Sequence, residues 1–460
     1  MKIFKLFSLT AIFSILLGIV IWFALYDKNL VRQKTIQTEN YGTISIAYPF
    51  FGEHAQVLAF IDTQKIDPNK LASQIAHLGV RAAIVDGKRA LKAFSSGGKQ
   101  CLDPVQIATS ITSLRKIIPI SEAKRLVVSG IGDGALIPFF NAETPSEQNI
   151  TNLSIGFSVV LPPYVILCPS FITRQQGQQK KLLSVPDITG NWHSVWVDYP
   201  AAETAVFVRK ISKAKTSIAP YDTPDDTVLT DELQKVLGPT NSPSSPLPVV
   251  EVPAPGANQT VTLFYSGDGG WRDLDRIVAG EMARQGNPVV GIDTLRAFWN
   301  RKTPEQSADE LARTMEYYRK AWGAKNFVLA GYSFGADILP ALYNRLTPAD
   351  QDSVHLLVLL SVSKEADFEI HVTGWLGKDS SGLPISPELS RMPANKILCV
   401  YGRKEKAETA CTDLISTQAE LLELPGGHHF DEDYPKLTRL ILKKYQAVGI
   451  HGTADPHPSD

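Results

Sequence analysis

The feature that most constrains the fold is a serine placed between a short apolar run and a helical pattern. Phe327 to Ala330 predict a buried strand, Gly331-Tyr-Ser-Phe-Gly335 follows directly, and the apolar residues after it have helical spacing. This order predicts a nucleophile elbow, in which glycines let neighbouring backbone approach and the serine stands clear of the sheet. Ser333 is therefore the candidate nucleophile. The alternative is a glycine-lined turn without chemistry.

A serine hydroxyl becomes a good nucleophile when a histidine accepts its proton and a carboxylate holds that histidine. Two later predicted strands supply both groups: residues 396–401 lead into Glu405, and residues 420–424 lead through Pro-Gly-Gly into His428. The chain order serine, acid, histidine is typical of α/β hydrolases. We therefore predict a catalytic triad of Ser333, Glu405 and His428.

Two members of this predicted triad have a neighbour that could take the same role. Glu408 also follows the first of these strands, and position in the turn favours Glu405. His429 directly follows His428 and is the alternative base. We predict His428 because it comes directly after the glycine pair.

A glycine-rich turn, Ser266 to Trp271, follows the predicted strand 261–265 and predicts part of an oxyanion hole. We expect the backbone N–H of Asp268 and that of Phe334, the residue after the serine, to bind the oxyanion. Gly267 and Gly269 would line the substrate in the same turn. A phosphate-binding loop is disfavoured because the lysine of that motif is missing.

The chain also contains an internal repeat, because the first half repeats the order of patterns in the second. Gly132, in a GIGDG turn, falls opposite Ser333, and the segment around Pro220 that corresponds to the histidine loop contains no histidine. The sequence predicts tandem α/β-hydrolase-like domains of which the first is degenerate and non-catalytic. Two unrelated α/β domains with similar periodicity are the alternative.

Composition shifts give the domain boundaries. A Pro/Ser-rich run at 238–246 predicts a linker between a degenerate domain at 35–237 and a catalytic domain at 247–450. Residues 451–460 form a tail.

The start of the chain predicts a membrane anchor. Leu6 to Tyr26 is an uncharged, mostly apolar stretch that is long enough to span a bilayer and ends in aromatic residues, so we interpret 1–26 as an uncleaved anchor. A cleaved signal peptide is the alternative. Either reading predicts that the bulk of the protein is exported.

Composition excludes several function classes. The 460 residues have a net charge of −1 without a basic run that would indicate nucleic-acid binding. The four cysteines form neither a CxxC motif nor a metal-ligand cluster, and we expect no metal and no cofactor. In an oxidising compartment we expect a disulfide between Cys399 and Cys411, with free buried thiols as the alternative, and by the same logic a bond between Cys101 and Cys168.

The motifs FYSGDGGW, GYSFGAD, the strand end CVYG with Glu405 and Cys411, and LPGGHHFD together resemble the bacterial virulence-factor family of VirJ/AcvB type. These proteins are periplasmic α/β hydrolases, and a degenerate copy precedes the catalytic one in the longer, AcvB-like members. The resemblance implies a periplasmic enzyme that hydrolyses the lysyl or alanyl ester of aminoacylated phosphatidylglycerol. The predicted anchor would tether this enzyme to the inner membrane. Its partners would be the membrane and this lipid substrate.

An aminoacyl ester carries an ammonium group near the scissile carbonyl, so a carboxylate in the pocket would favour binding. Asp337, Asp268 and Asp293 are the candidates, and Asp337 could instead accept local backbone hydrogen bonds. The segment 364–383, with Phe368, Ile370, Val372 and Trp375, could form an apolar lip for acyl chains. A generic periplasmic esterase or thioesterase and a non-catalytic docking protein of a secretion system are the rival functions.

Overall fold

The computed structural model describes most of the chain: residues 31–50, 52–96, 101–118, 125–144, 150–184, 188, 190–238, 245–255, 259–371 and 382–449. It divides into two compact units, Met1–Asn241 and Ser242–Asp460, and the division falls inside the predicted linker. The predicted anchor at 1–26 and the tail at 451–460 lie outside the described residues. Within the described part, no helix is both long and apolar enough to span a bilayer.

The first unit contains a large mixed sheet and a small antiparallel one. Its strands are β1 Val31–Thr38, β2 Gly42–Pro49, β3 Ala55–Ile61, β4 Arg81–Asp86, β5 Arg125–Ile131, β6 Ile150–Ile155, β7 Val160–Leu161, β8 Thr173–Gln176, β9 Gln179–Leu182, β10 Asn191–Trp196 and β11 Ala214–Ile218. Its helices are α1 Pro68–Ala76, α2 Gly87–Ser96, α3 Pro104–Ile117, α4 Leu136–Ala142, α5 Ala202–Arg209 and α6 Asp225–Leu237. The large sheet has the order β1-β2-β4-β3-β5-β6-β10-β11, and the small one β7-β9-β8.

The second unit contains one large sheet and a two-stranded ribbon. Its strands are β12 Val249–Val252, β13 Thr260–Tyr265, β14 Val289–Ile292, β15 Asn326–Tyr332, β16 Val354–Leu360, β17 Glu365–Ala366, β18 Leu383–Pro384, β19 Ile397–Gly402 and β20 Glu420–Leu424. Its helices are α7 Leu274–Arg284, α8 Thr294–Ala297, α9 Pro304–Trp322, α10 Phe334–Tyr343, α11 Pro348–Ser353, α12 Ser386–Leu389 and α13 Tyr434–Ala447.

The large sheet of the second unit has the order β12-β14-β13-β15-β16-β19-β20. Strand β12 pairs antiparallel with β14, and the other pairs are parallel. Parallel strands need covering on both faces, and β15, β16 and β19 accordingly consist almost wholly of buried residues. Because these strands are parallel, their carboxyl ends lie at the same edge of the sheet. Ligands bind at this edge in open α/β sheets.

The two large sheets share one topology. If β1 is set aside, the order β2-β4-β3-β5-β6-β10-β11 of the first unit repeats as β12-β14-β13-β15-β16-β19-β20 in the second. In both sheets the first of these strands runs antiparallel to its neighbour and the next pairings are parallel. The two units therefore share a strand order, from β2 in the first and from β12 in the second.

Both predicted disulfides are present. Cys399, in β19, is bonded to Cys411, in a 3-10 turn after it, and Cys101 is bonded to Cys168 in the first unit. The first of these bonds closes a loop that contains Glu405.

Candidate active site

Ser333 lies on a sharp turn between β15 and α10. Its φ is 51°, in the left-handed region that side chains rarely adopt, and its N–H donates a hydrogen bond of 2.9 Å to the carbonyl oxygen of Leu360. A Cβ on Gly331 would come within 2.5 Å of Gly335, and a Cβ on Gly335 within 2.3 Å of the carbonyl oxygen of Tyr265. The two glycines of the motif are therefore required by close backbone approach, as an elbow demands.

His428 lies between Ser333 and Glu405. Its Nε2 atom is 2.8 Å from Ser333 Oγ, and its Nδ1 atom is 2.5 Å from Glu405 Oε1. A carboxylate that accepts from Nδ1 fixes the proton on that nitrogen, so Nε2 is left to accept the serine proton. The structure thus brings together the three residues that the sequence singles out.

Ser361, which the sequence analysis did not identify, supports the same arrangement. It follows β16 with a φ of 52°, is 4 % exposed, and donates from Oγ to Glu405 Oε2 over 3.0 Å. The same hydroxyl lies 3.2 Å from the carbonyl oxygen of His428. The sequence does contain a signal for Ser361, because it is a polar residue directly after an apolar strand. Ligands bind at the carboxyl ends of such strands.

Opposing effects set the pKa values of the acid and the base. Burial raises the pKa of the Glu405 carboxyl, but the hydrogen bond and charge of His428, together with the Ser361 hydroxyl, outweigh burial and hold it below its ordinary value. Burial lowers the pKa of His428, but Glu405, Asp337 and Asp268 outweigh burial and raise it. Glu405 is therefore charged at neutral pH, and His428 becomes neutral only above its raised pKa.

His429, the alternative base, is held elsewhere. Its Nδ1 atom is 2.9 Å from the hydroxyl of Tyr332, the residue before the serine, and that hydroxyl also donates to the carbonyl oxygen of His428 over 3.3 Å. Glu408, the alternative acid, is exposed, and its N–H donates to the carbonyl oxygen of Glu405. The geometry therefore favours His428 and Glu405 over their neighbours.

The glycine-rich turn lies beside the serine. A Cβ on Gly267 would be 3.2 Å from the Tyr332 ring and 3.8 Å from Ser333 Cβ, and the Asp268 side chain is exposed. Gly269 lies against the guanidinium of Arg272. The turn therefore lies beside the candidate nucleophile, and the oxyanion role of Asp268 stays a prediction.

Asp275, in the first turn of α7, is a second residue that the sequence analysis did not identify. It is 3 % exposed, and burial raises its pKa well above the ordinary value, while the backbone N–H groups of Arg272 and Gly267 lower it. Its buried carboxyl group, one oxygen of which has no hydrogen-bond partner among the described residues, therefore favours the neutral form.

The three predicted ammonium-binding carboxylates have different surroundings. Asp337 is half-buried, its Oδ1 accepts from the Ser363 N–H over 2.7 Å, and burial raises its pKa to about 7. The charges of Asp337 and Asp268 both raise the pKa of His428. Asp293 is 4 % exposed and caps α8 through a hydrogen bond from the Arg296 N–H, which does not fit the predicted contact with a substrate.

The predicted apolar lip at 364–383 requires a correction. Phe368 and Ile370 are 7 % and 2 % exposed, and the Phe368 ring packs against Phe298, whose ring packs in turn against Phe334. These side chains therefore belong to the core behind the elbow, because burying them removes more apolar surface from water than an exposed rim would. Val372 and Trp375 lie outside the described residues.

The first unit keeps the elbow without the nucleophile. Gly132 has a φ of 59°, close to that of Ser333, and a Cβ on Gly134 would come within 2.1 Å of the carbonyl oxygen of Phe60, as Gly335 does with Tyr265. The backbone of the turn is thus conserved between the units while the reactive group is missing.

The strand order, the elbow between β15 and α10, and the acid and histidine after β19 and β20 define the second unit as an α/β-hydrolase-like fold. Residues 259–448 match the family described as bacterial virulence protein (VirJ). The match confirms the resemblance to the VirJ family that the motifs of this unit predict.

Three solved structures are among those similar to part of this chain. A thermophilic esterase from Thermogutta terrifontis is 14 % identical, with 44 % of this chain and 93 % of that chain covered and a TM-score of 0.35. Est1E from Butyrivibrio proteoclasticus is 12 % identical over 43 % and 93 %, with a TM-score of 0.32. A dienelactone hydrolase from Anabaena variabilis is 17 % identical over 43 % and 90 %, with a TM-score of 0.33. A comparison with curated proteins gives no match.

Proposed function

We propose that the second unit is a serine hydrolase that cleaves carboxylic esters through an acyl-enzyme on Ser333. The observation that carries this proposal is the continuous hydrogen-bond chain from Glu405 through His428 to Ser333, on a turn with positive φ. A buried structural network would not need to hold a serine in a left-handed conformation at the carboxyl edge of the sheet.

The reaction follows from this arrangement. His428 Nε2 accepts the proton of Ser333 Oγ as the oxygen attacks the ester carbonyl carbon, and Glu405 stabilises the resulting imidazolium. His428 then donates that proton to the departing alcohol oxygen, which leaves an ester on Ser333. In the second half, His428 accepts a proton from water, the hydroxide attacks the acyl carbon, and the proton returns to Ser333 Oγ.

The developing oxyanion needs preorganised donors. We assign this role to the backbone N–H groups of Phe334, the first residue of α10, and Asp268, in the turn beside the serine.

We further propose that the ester is the lysyl or alanyl ester of aminoacylated phosphatidylglycerol, with the free amino acid as product. The VirJ match supports this substrate class, as does the presence of two carboxylates, Asp337 and Asp268, near His428. An α-ammonium group is adjacent to the scissile carbonyl, so it would enter the site close to these charges. Its arrival would favour the ionised form of Asp337.

The same proposal places the protein in the periplasm, tethered to the inner membrane. Two disulfides support an oxidising compartment, where such bonds persist. The uncharged stretch at 6–26 supports a tether, which would keep the site at the surface that contains the lipid.

Both the serine mechanism and the lipid substrate can be tested with purified wild-type protein and a Ser333→Ala variant. Each protein is incubated with lysyl- and alanyl-phosphatidylglycerol in mixed micelles, and separately with p-nitrophenyl acetate. We expect wild type to release the amino acid and Ser333→Ala to release none above background. Release of p-nitrophenol without release of amino acid would leave a generic esterase. Equal activity of both proteins would refute the serine mechanism.

Asp337→Asn tests the ammonium contact separately. The amide keeps the acceptor for the Ser363 N–H but removes the charge, so kcat/KM for an aminoacyl ester should fall by about tenfold. The matched ester without the amino group should be hydrolysed at the wild-type rate. An equal loss for both esters would show that Asp337 only supports the fold.

A further inference from the structure

The first unit contains a pocket at the edge of its sheet that corresponds to the candidate active site of the second. The pocket has a volume of about 950 Å³ and is lined by the carboxyl ends of β3, β4 and β5, by the start of α2, and by the Gly132 turn. A Cβ on Gly132 would meet no described atom within 4 Å, so the space above this turn is open. This volume is in the range of small-molecule binding sites.

Five basic side chains line the pocket, and one of them, Lys65, has a carboxylate within ion-pair distance among the described residues. Lys65 lies 3.8 Å from Asp62, and Arg89 packs on the Gly42 turn. Among the described residues, no carboxylate lies within ion-pair distance of the other three, which are Lys70, Lys88 and Lys92.

Lys88 and Lys92 are one helical turn apart on α2 and are directed to the same aromatic ring. Their ammonium groups lie 5.2 Å and 5.6 Å from the ring centre of Tyr164. The Tyr164 hydroxyl donates to Asp133 over 2.6 Å, and burial together with Asp133 raises its pKa, so the ring stays neutral. Tyr164 therefore fixes two positive charges at one wall of the pocket without neutralising them.

The pocket also contains six carboxylates, and among the described residues none of them forms an ion pair with Lys70, Lys88 or Lys92. Five of them accept hydrogen bonds from protein donors in their own surroundings: Asp62, Asp67, Asp86, Asp133 and Asp226. Asp225 and Asp226 belong to the first turn of α6 and form a separate acidic wall. The pocket therefore presents a cationic wall and an acidic wall to one ligand.

We propose that this pocket binds a small phosphate ester, with Lys88 and Lys92 on the phosphate and with Asp225 and Asp226 accepting hydrogen bonds from hydroxyl or ammonium groups of the remainder. Lysine ammonium groups suit a phosphate because they are compact charges with several donors. The proposal does not depend on the hydrolase activity of the second unit. It gives the unit without a nucleophile a binding role.

Isothermal titration of the full-length protein with sn-glycerol 3-phosphate at low salt tests the proposal, with glycerol as the matched probe without phosphate. We expect saturable binding of the ester, no binding of glycerol, and weaker binding at higher salt. The variant Lys88→Gln with Lys92→Gln should bind at least about tenfold more weakly, because two charge-assisted contacts are lost. Lys210→Gln with Lys213→Gln, two exposed lysines outside the pocket, is the control and should bind like wild type.

Absence of saturable binding to wild-type protein would overturn the proposal without reference to any variant. Equal affinity of wild type and the Lys88/Lys92 variant for glycerol 3-phosphate would also overturn the proposal. Loss of binding in Ser333→Ala would overturn it too, because the phosphate ester would then bind in the second unit. Competition by vesicles of phosphatidylglycerol in phosphatidylcholine, compared with phosphatidylcholine alone, identifies the source. If only the vesicles that contain phosphatidylglycerol displace glycerol 3-phosphate, the ligand of the pocket is a lipid head group. If neither kind of vesicle displaces it, the ligand is a free phosphate ester.

Discussion

Replacement of Glu405 by glutamine is the most informative single change in the candidate active site. The side chain keeps its size and an oxygen for the Ser361 hydroxyl, but one negative charge is lost beside His428 Nδ1. An amide can donate to Nδ1, which would place the imidazole proton on Nε2 and prevent that atom from accepting the serine proton. Loss of both charge and tautomer predicts a fall in kcat of about a thousandfold, or about 4 kcal/mol in the activation free energy.

The assay is hydrolysis of p-nitrophenyl acetate from pH 5 to 9. His428 must be neutral to act as a base, so wild-type activity should fall as the pH drops through its raised pKa. Glu405 is one of the groups that raise this pKa, and its removal should move the acidic limb of the residual activity to lower pH. Glu408→Gln, three residues on and exposed, is the matched control and should match wild type. A Glu405→Gln variant within tenfold of wild type, with an unmoved acidic limb, would refute the assignment of the acid.

Three further predictions follow from the same geometry. His428→Ala should lower kcat by at least about a thousandfold and His429→Ala by less than about tenfold in the same assay, because only His428 reaches Ser333; equal losses would contradict this. Gly335→Ala should lower the free energy of unfolding by about 2 kcal/mol or more in urea titrations, whereas Gly280→Ala, with open space around it in α7, should not destabilise; similar effects would contradict the close approach. Loss of the Cys399–Cys411 disulfide through paired serine substitutions should lower stability by about 3 kcal/mol and show as a reduced Tm; an unchanged Tm would show that the bond is dispensable.

The sequence predicted the strands and the elbow because their signals are local. Apolar runs bounded by glycine and polar residues place β15, β19 and β20 within two residues of their observed bounds, and the spacing of the motif predicts the turn at Ser333. The order of serine, acid and histidine predicted which residues the fold brings together. The strands, the elbow and the position of each triad residue after its strand can all be predicted from local sequence, because each depends only on residues that are close together in the chain.

The remaining features depend on contacts between distant segments. Ser361 supports Glu405 only because β16 and β19 are adjacent, and Asp275 is buried only because α7 packs on the core of the unit. The burial of Phe368 and Ile370 likewise depends on packing against Phe298, which is far away in sequence. Periodicity in one sequence has no information on such pairs, so these residues could be identified only from the structure.

The measurement that tests the central claim most directly is labelling of the intact protein with a fluorophosphonate probe, followed by mass spectrometry of the peptides. An activated serine attacks such a probe, whereas an ordinary hydroxyl does not. We predict one adduct on the peptide that contains Ser333, a labelling rate reduced by at least about a hundredfold in His428→Ala, and no adduct in Ser333→Ala. Ester hydrolysis by a protein that remains unlabelled, or an adduct on another serine that persists in Ser333→Ala, would contradict this prediction.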